Sequence, residues 1–342
     1  MTDVSKPRIA VLGGGSFGTV IANLAAGNGC AATLWMRDAE LVAEMTATRE
    51  NGRYLPGFRL ADTLRFSSDL SEAVAGADLV FVAIPSKAFR QVVQAVRPLL
   101  QPRQMLVSMT KGIEAGTFAL MSQILREEVP DARVGVLSGP NLAKEIAARM
   151  PAGTVIASID PEVRATVHAI LASPYFRVFA NTDIYGVELG GALKNIYAIA
   201  TGMAAANKVG ENSRSMLLTR ALAEMSRFAV QMGANPLTFL GLSGVGDLFA
   251  TCNSPLSRNY QVGFALGSGK KLADIVADLE QTAEGINTIL QVRQQADRLG
   301  VYMPIVAGLY EVIFNEKPVF EVAAAMMNSG QRSDVEFVLP NR

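Results

Sequence analysis

Histidine, cysteine and tryptophan are nearly missing from this chain. One histidine (His168), two cysteines (Cys30 and Cys252) and one tryptophan stand among 342 residues. Two distant cysteines with no C-x-x-C pair exclude a disulfide framework and suit a reducing cytoplasm. Both thiols are expected to be small packing groups. A single histidine leaves no His, Cys and carboxylate cluster at ligand spacing, so no metal site is expected. His168 falls in an expected helix that covers a sheet, which assigns it to the surface or to packing rather than to catalysis. Net charge is missing too: 31 basic residues offset 31 acidic ones. A general nucleic-acid binder would carry a basic excess, although a local cationic pocket for a small anion stays open. No uninterrupted apolar run reaches the ~18 residues of a membrane span. The nearest is 186–206, and Glu188, Lys194 and Asn195 interrupt it. The amino-terminal apolar run meets three glycines too early for a signal peptide.

Half of the residues are hydrophobic, enough for a large core, and the length accommodates two domains of ~100–200 residues. The first half alternates short apolar runs with amphipathic ones. Strands are expected at 8–12, 31–36, 79–84, 105–108 and 134–137. Helices are expected at 16–28, 38–47, 69–75, 86–96, 117–128 and 141–148, with Asp38 as an N-cap. Residues 54–57 read as a loop. Strands at 154–157 and 177–179, flanking a helix at 161–171, extend the set. Continuous apolar strands separated by helices imply a mostly parallel sheet buried on both faces. From about Asn181 strand signals nearly vanish, and 187–206, 213–231 and 288–299 carry helical periodicity. The expected fold is α/β: a doubly wound, mostly parallel sheet over 1–181, followed by an all-α domain over 182–342.

Gly13-Gly14-Gly15-Ser16-Phe17-Gly18 matches G-x-G-x-x-G. The spacing alone is a weak signal; its place between an expected strand and an expected helix gives it weight. Gly13 suits the tight turn, Gly15 a close backbone approach to a pyrophosphate, and Gly18 close strand–helix packing. The helix N-terminus adds unpaired N–H groups for phosphate. The first domain therefore reads as Rossmann-type. At the end of the second strand, Arg37 stands where an acid would bind a ribose hydroxyl, with Asp38 one place later. Arg37 can pair with a 2′-phosphate or stack on adenine. NADP(H) is thus the expected preference, with NAD(H) tolerated.

Carbonyl reduction needs a proton donor, and a buried lysine can serve. Lys194 leads, inside the otherwise apolar helical run Val187-Glu188-Leu189-Gly190-Gly191-Ala192-Leu193-Lys194-Asn195. Gly190 and Gly191 would let another group come close. Lys111, in Thr110-Lys111-Gly112, follows an expected strand, and ligands of open parallel sheets sit beyond the strand carboxyl ends. Ser138-Gly139-Pro140-Asn141 follows another and reads equally as an anion contact or as plain turn chemistry. Three glycines beside Asp247, in 241–247, suggest a backbone bent around something. Ser257-Arg258-Asn259 opens an expected helix, a good composition for a phosphate.

In this order, Gly13–Gly18, Thr110-Lys111-Gly112, Ser138-Gly139-Pro140, Gly190–Asn195, Gly244–Asp247, Ser257-Arg258-Asn259 and Glu284-Gly285 resemble the motifs of bacterial, soluble NAD(P)-dependent glycerol-3-phosphate dehydrogenases, over residues 8–320. The resemblance implies that Ser16, Phe17 and Arg37 touch the cofactor, with Lys111, Ala143, Arg258, Thr282 and Glu284 joining them. It implies substrate contacts from Lys111, Gly139 and Asn141, and Lys194 as general acid/base. Asp247 would help hold the reacting end, and Ser257, Arg258 and Asn259 the substrate phosphate. The implied reaction is reduction of dihydroxyacetone phosphate to sn-glycerol 3-phosphate, in a homodimer. Two positions depart from the family: Asn141, where serine or threonine is common, and Lys208, in Asn207-Lys208-Val209-Gly210. Lys208 is expected either at a pocket rim or exposed. Two other readings remain open: a 3-hydroxy-acid or 6-phosphogluconate type dehydrogenase, and an NADPH-sensing binding module without catalysis.

Overall fold

The computed structural model describes residues 6–255, 257–278 and 284–328. The chain divides into two compact units: Met1–Glu114 with Ala119–Ile184, and Ala115–Phe118 with Tyr185–Arg342.

The first unit contains strands β1 (Arg8–Leu12), β2 (Ala31–Trp35), β3 (Glu50–Asn51), β4 (Leu55–Arg59), β5 (Arg65–Ser67), β6 (Leu79–Val82), β7 (Met105–Ser108), β8 (Arg133–Ser138), β9 (Ala152–Ala157) and β10 (Phe176–Asn181). Its helices are α1 (Ser16–Gly27), α2 (Ala39–Thr48), α3 (Leu70–Val74), α4 (Ser86–Val96), α5 (Met121–Glu128), α6 (Ala143–Ala147) and α7 (Pro161–Leu171). Eight strands form one sheet in the order β10-β9-β8-β7-β6-β1-β2-β5. Every pair in it is parallel except β8 with β9. Their connection carries only the short α6 and returns the chain antiparallel.

The apolar strands are explained by what lies on each face. Ile9, Val11, Leu79 and Phe81 join one hydrophobic cluster, with Val20, Ile21 and Leu24 of α1. Ala10, Leu12, Val80 and Val82 join another, with Phe89 and Val93 of α4. Alternate residues of one strand thus enter opposite cores, so no position is left for a polar side chain. Full burial of each valine, leucine, isoleucine or phenylalanine among them stabilises by about 1.5–3 kcal/mol.

Two expectations need correction. Residues 54–57 are not a loop: Leu55–Arg59 is strand β4, paired antiparallel with β3. Pro56 is compatible because this two-stranded ribbon has free edges. The helix expected at 117–128 starts only at Met121. Phe118 has φ +61°, and the extended Leu120 bridges to Ile113. Edge strand β5, only three residues long, carries too little pattern to have been expected.

The second unit, among the described residues, is helical: α8 (Ile184–Ala206), α9 (Glu211–Gln231), α10 (Asp247–Cys252), α11 (Arg258–Gly267), α12 (Leu272–Asp278), α13 (Glu284–Leu299), α14 (Pro304–Phe314) and α15 (Val319–Met327). Helix α8 is buried on all sides from Gly186 to Met203, which accounts for its all-round apolar composition. Among the described residues no helix is long and apolar enough to cross a membrane. Lys208 is exposed and takes φ +53° just after α8, so it ends the helix.

Candidate active site

The glycine-rich loop leaves β1 where its neighbours β2 and β6 lie on opposite sides. That is the switch point at which open α/β sheets bind ligands. The Gly13 N–H donates to Trp35 O (2.9 Å), and the Ala83 N–H donates to Leu12 O (2.7 Å). Gly13 has φ +115°, and a Cβ there would lie 2.5 Å from Ala83 O. A Cβ on Gly18 would lie 2.0 Å from Gly13 O, so helix and loop touch through bare backbone. Gly15 differs: it is the N-cap of α1, no side chain caps it, and a Cβ there would meet nothing within 4 Å. The first N–H groups of α1 therefore face open space beside an uncapped helix end. A pyrophosphate fits this cradle, which a side chain would fill.

The β3–β4 ribbon is latched onto the loop. Asn51 is fully buried; its Nδ2 donates to Gly14 O (2.9 Å) and to Thr19 Oγ1 (2.8 Å). Asn51 Oδ1 accepts the Tyr54 N–H (3.1 Å), and Ser16 Oγ donates to Tyr54 O (2.6 Å). Sequence reasoning missed Asn51 and Tyr54, because nothing in 50–59 announces a partner 37 residues away. Phe17 is half-buried against the core, Ala143 likewise at the start of α6, and Arg37 is exposed at the end of β2. Asp38 caps α2, its Oδ1 accepting from the N–H groups of Glu40 and Leu41 at 3.1 Å each.

Beyond β7 and β8, Lys111 Nζ donates to Gly139 O at 2.9 Å. Thr154 Oγ1 donates to Ser138 O (3.1 Å) and accepts from Asn141 Nδ2 (3.3 Å). Asn141 Oδ1 is buried without a partner among the described residues. A buried acceptor left open is unfavourable by about 1–3 kcal/mol, and a ligand O–H or N–H would satisfy it. The amide at 141 thus presents an open acceptor.

In the second unit, Lys194 and Asp247 form a buried ion pair. Nζ lies 2.6 Å from Asp247 Oδ1, and the two side chains are 9% and 1% exposed. Nζ also donates to Thr251 Oγ1 at 2.6 Å. The lysine sits on α8, and the aspartate and threonine one turn apart on α10. Of the three glycines in 241–247, Gly244 is the one closely met by other backbone. A Cβ on Gly244 would lie 2.3 Å from the Phe239 backbone, and one on Gly190 would lie 2.4 Å from Ser243 O. Gly190 lets the π-helical turn Leu242–Gly246 press against α8, and this close approach sets Asp247 beside Lys194.

Helix α11 is seated on α8 by the same device. A Cβ on Gly202 would lie 2.1 Å from Tyr260 O, and one on Gly263 would lie 1.9 Å from Ile199 O. The N-terminus of α11 carries Ser257 as N-cap, its Oγ accepting from the Tyr260 N–H (3.4 Å). Arg258 is exposed and Ser257 half-buried. Asn259 Oδ1 accepts the Gly285 N–H (3.1 Å), which fixes the amide and turns Nδ2 into its remaining donor. A Cβ on Gly285 would strike Asn259 Oδ1 (2.5 Å) and approach Asn195 O (3.0 Å). Glu284 opens α13, and Thr282 lies outside the described residues.

Of the residues set aside on sequence grounds, Cys252 ends α10 next to Thr251, near enough to feel the charges of Lys194 and Asp247. His168 is exposed on α7. Both cysteines are buried, and burial pushes the Cys252 thiol up to about 12, where it is not a nucleophile.

A parallel sheet with a glycine cradle at its switch point, followed by helices holding a buried lysine–aspartate pair, is the make-up of a dinucleotide-dependent dehydrogenase. The model of the NAD-dependent glycerol-3-phosphate dehydrogenase N-terminus matches residues 8–164, and that of its C-terminus matches 183–324. The chain is 63% identical to a glycerol-3-phosphate dehydrogenase (NAD(P)+) of Acinetobacter baumannii, over 98% of this chain and 93% of the relative. It is 56% identical to the enzyme of that name from Psychrobacter arcticus, over 98% and 78%. The crystal structure of glycerol-3-phosphate dehydrogenase from Coxiella burnetii superimposes with a TM-score of 0.90 at 34% identity, covering 95% of this chain and 99% of that one. The chain belongs to the NAD-dependent glycerol-3-phosphate dehydrogenase family.

Proposed function

We propose that this chain is a cytoplasmic, homodimeric enzyme that reduces dihydroxyacetone phosphate reversibly to sn-glycerol 3-phosphate, the backbone of glycerophospholipids, with NADP(H) preferred over NAD(H). Membership of the family supports the reaction. The observation that carries the chemistry is the buried Lys194–Asp247–Thr251 group.

Bound NAD(P)H supplies the hydride for the ketone carbon. Gly13, Gly15, Ser16, Phe17, Gly18, Arg37, Lys111 and Ala143 in the first unit would hold that cofactor, as would Arg258, Thr282 and Glu284 in the second. Lys194 donates a proton to the ketone oxygen as negative charge builds there, and takes it back in the reverse direction. Asp247 and Thr251 engage two of its N–H groups, so the third is held in a fixed direction for the substrate oxygen. A preset ammonium needs no reorganisation as the charge develops. Lys111, Gly139 and Asn141 complete the substrate contacts. Ser257, Arg258 and Asn259 bind the phosphate, so binding energy remote from the carbonyl orients it.

The test follows loss of reduced-nicotinamide absorbance with dihydroxyacetone phosphate, NADPH and NADH being run in parallel. Oxidation with this ketone, and none driven by a 3-hydroxy acid or 6-phosphogluconate in the reverse direction, is the expected result. Folded protein that binds NADPH but turns over no phosphorylated ketone would instead be a nucleotide-sensing module.

A further inference from the structure

The end of β2 is where an acid would accept from a ribose hydroxyl and oppose a 2′-phosphate. Asp38 stands beside it, yet its carboxylate is engaged. Oδ1 caps α2, and Oδ2 pairs with Arg53 Nη1 at 3.5 Å. Arg53 comes from the turn of the β3–β4 ribbon, and its guanidinium lies over the Tyr54 ring, 5.4 Å from the centroid. The ribbon cannot drift, because Asn51 and Ser16 fasten it to the glycine loop. Arg37, two residues past the end of β2, thus precedes a carboxylate already in use, and Arg53 reaches that carboxylate from the ribbon.

We propose that Arg53 is a specificity-determining residue that, with Arg37, selects the 2′-phosphate of NADP(H), and that it does so by releasing Asp38 for the phosphate. The side chains of Arg53 and Asp38 are 56% and 45% exposed. An ion pair this wet is worth little, so exchange for a dianion is favourable. A guanidinium can grip a phosphate through two parallel N–H donors. The Tyr54 ring lies under the guanidinium and limits the freedom that would be lost on binding. Asp38 keeps its cap on α2 throughout, so its charge stays partly satisfied by backbone N–H groups.

The inference rests on the glycine loop being a dinucleotide cradle, and fragments separate the two questions. Titration calorimetry on the full-length protein compares adenosine 2′,5′-bisphosphate with adenosine 5′-monophosphate. The wild type is expected to bind the bisphosphate at least about tenfold more tightly, the worth of one charged hydrogen bond. Arg53→Gln should lose about tenfold for the bisphosphate and less than about twofold for the monophosphate. Arg53→Lys should fall between, keeping the charge and losing the fork. If Arg53→Gln weakens both fragments alike, or neither, Arg53 does not read the 2′-phosphate. If the wild type binds neither fragment, the cradle itself is refuted along with it. The thermal midpoint of each variant, expected to match wild type at so exposed a position, excludes misfolding as a cause.

Discussion

Gly263 on α11 rests so close to Ile199 on α8 that a Cβ would lie 1.9 Å from the Ile199 carbonyl oxygen. Five residues before Ile199 is Lys194, and five residues before Gly263 is Arg258. One backbone contact therefore fixes both the proposed acid and the proposed phosphate anchor within one helical unit. Gly263→Ala must push α11 away. Overpacking of this kind destabilises by about 1–3 kcal/mol. The expected signature in steady-state kinetics is a raised KM for the phosphorylated substrate, with a smaller loss of NADPH affinity in binding assays, since most of the proposed cofactor contacts lie on the first unit. A variant with wild-type KM and stability would show that the helix pair tolerates the methyl group and does not set the anchor.

Lys194→Ala should reduce kcat by about 10²–10⁴-fold, the usual contribution of a positioned general acid. NADPH binding, followed by fluorescence, should survive. The variant also leaves Asp247 buried without its cation, and breaking a buried pair destabilises by about 3–5 kcal/mol. Asp247→Asn strands the lysine instead and should destabilise comparably in urea unfolding. Near-normal turnover by Lys194→Ala would remove the lysine from the chemistry.

Much of this was legible in the sequence because period and composition are local. Alternating cores make β1 and β6 continuously apolar, and an all-round buried α8 carries no polar stripe except Glu188, Lys194 and Asn195. Asp38 announced its cap, which is present, and the helix expected to open at Ser257 does so. What stayed hidden depends on tertiary pairing. The glycines around Asp247 signalled a tight backbone, but not that the backbone they meet is α8 and Phe239. Thr251 and Thr154 look like any helix or strand threonine until Lys194 and Asn141 arrive from distant parts of the chain. Phe118 at positive φ had no signal, since a bulky residue there is held by its surroundings rather than by preference.

Gly15 and Gly13 should respond oppositely to alanine. At Gly15 the backbone is extended (φ −68°, ψ 176°) and the Cβ position is open. Gly15→Ala should fold as stably as wild type, with a thermal midpoint within about 2 °C. Its methyl group would occupy the phosphate cradle, so NADPH affinity should fall by at least about tenfold. At Gly13 the positive φ and the 2.5 Å approach to Ala83 O make alanine a folding defect, worth several kcal/mol of stability. Calorimetry and thermal melts on the two variants separate a binding glycine from a folding one. Tight NADPH binding by Gly15→Ala would place the pyrophosphate elsewhere.

Glu224 makes the stability of the helical unit depend on pH. It is 1% exposed and caps α14, Oε2 accepting from the Ile305 N–H (3.0 Å) and Oε1 from the Val306 N–H (2.9 Å). The Tyr197 hydroxyl faces it without a hydrogen bond of normal geometry, and burial and this carboxylate hold that phenol well above its ordinary range. Burial outweighs the two backbone donors and raises the Glu224 carboxyl from 4.5 to about 7. The folded state therefore binds more protons than the unfolded chain in that window. The contribution is fully present below about pH 4.5 and is lost as pH rises through about 7. A shift of this size corresponds to on the order of 3 kcal/mol. The chain's single histidine leaves few groups titrating in the same range. Glu224→Gln keeps the shape and removes the titration, although one backbone N–H loses its acceptor. In urea unfolding from pH 5 to 8, the wild type's advantage over Glu224→Gln should shrink steadily as pH rises and level off near neutrality. Two parallel stability curves would mean that Glu224 does not take up a proton on folding, and that the two N–H donors outweigh its burial.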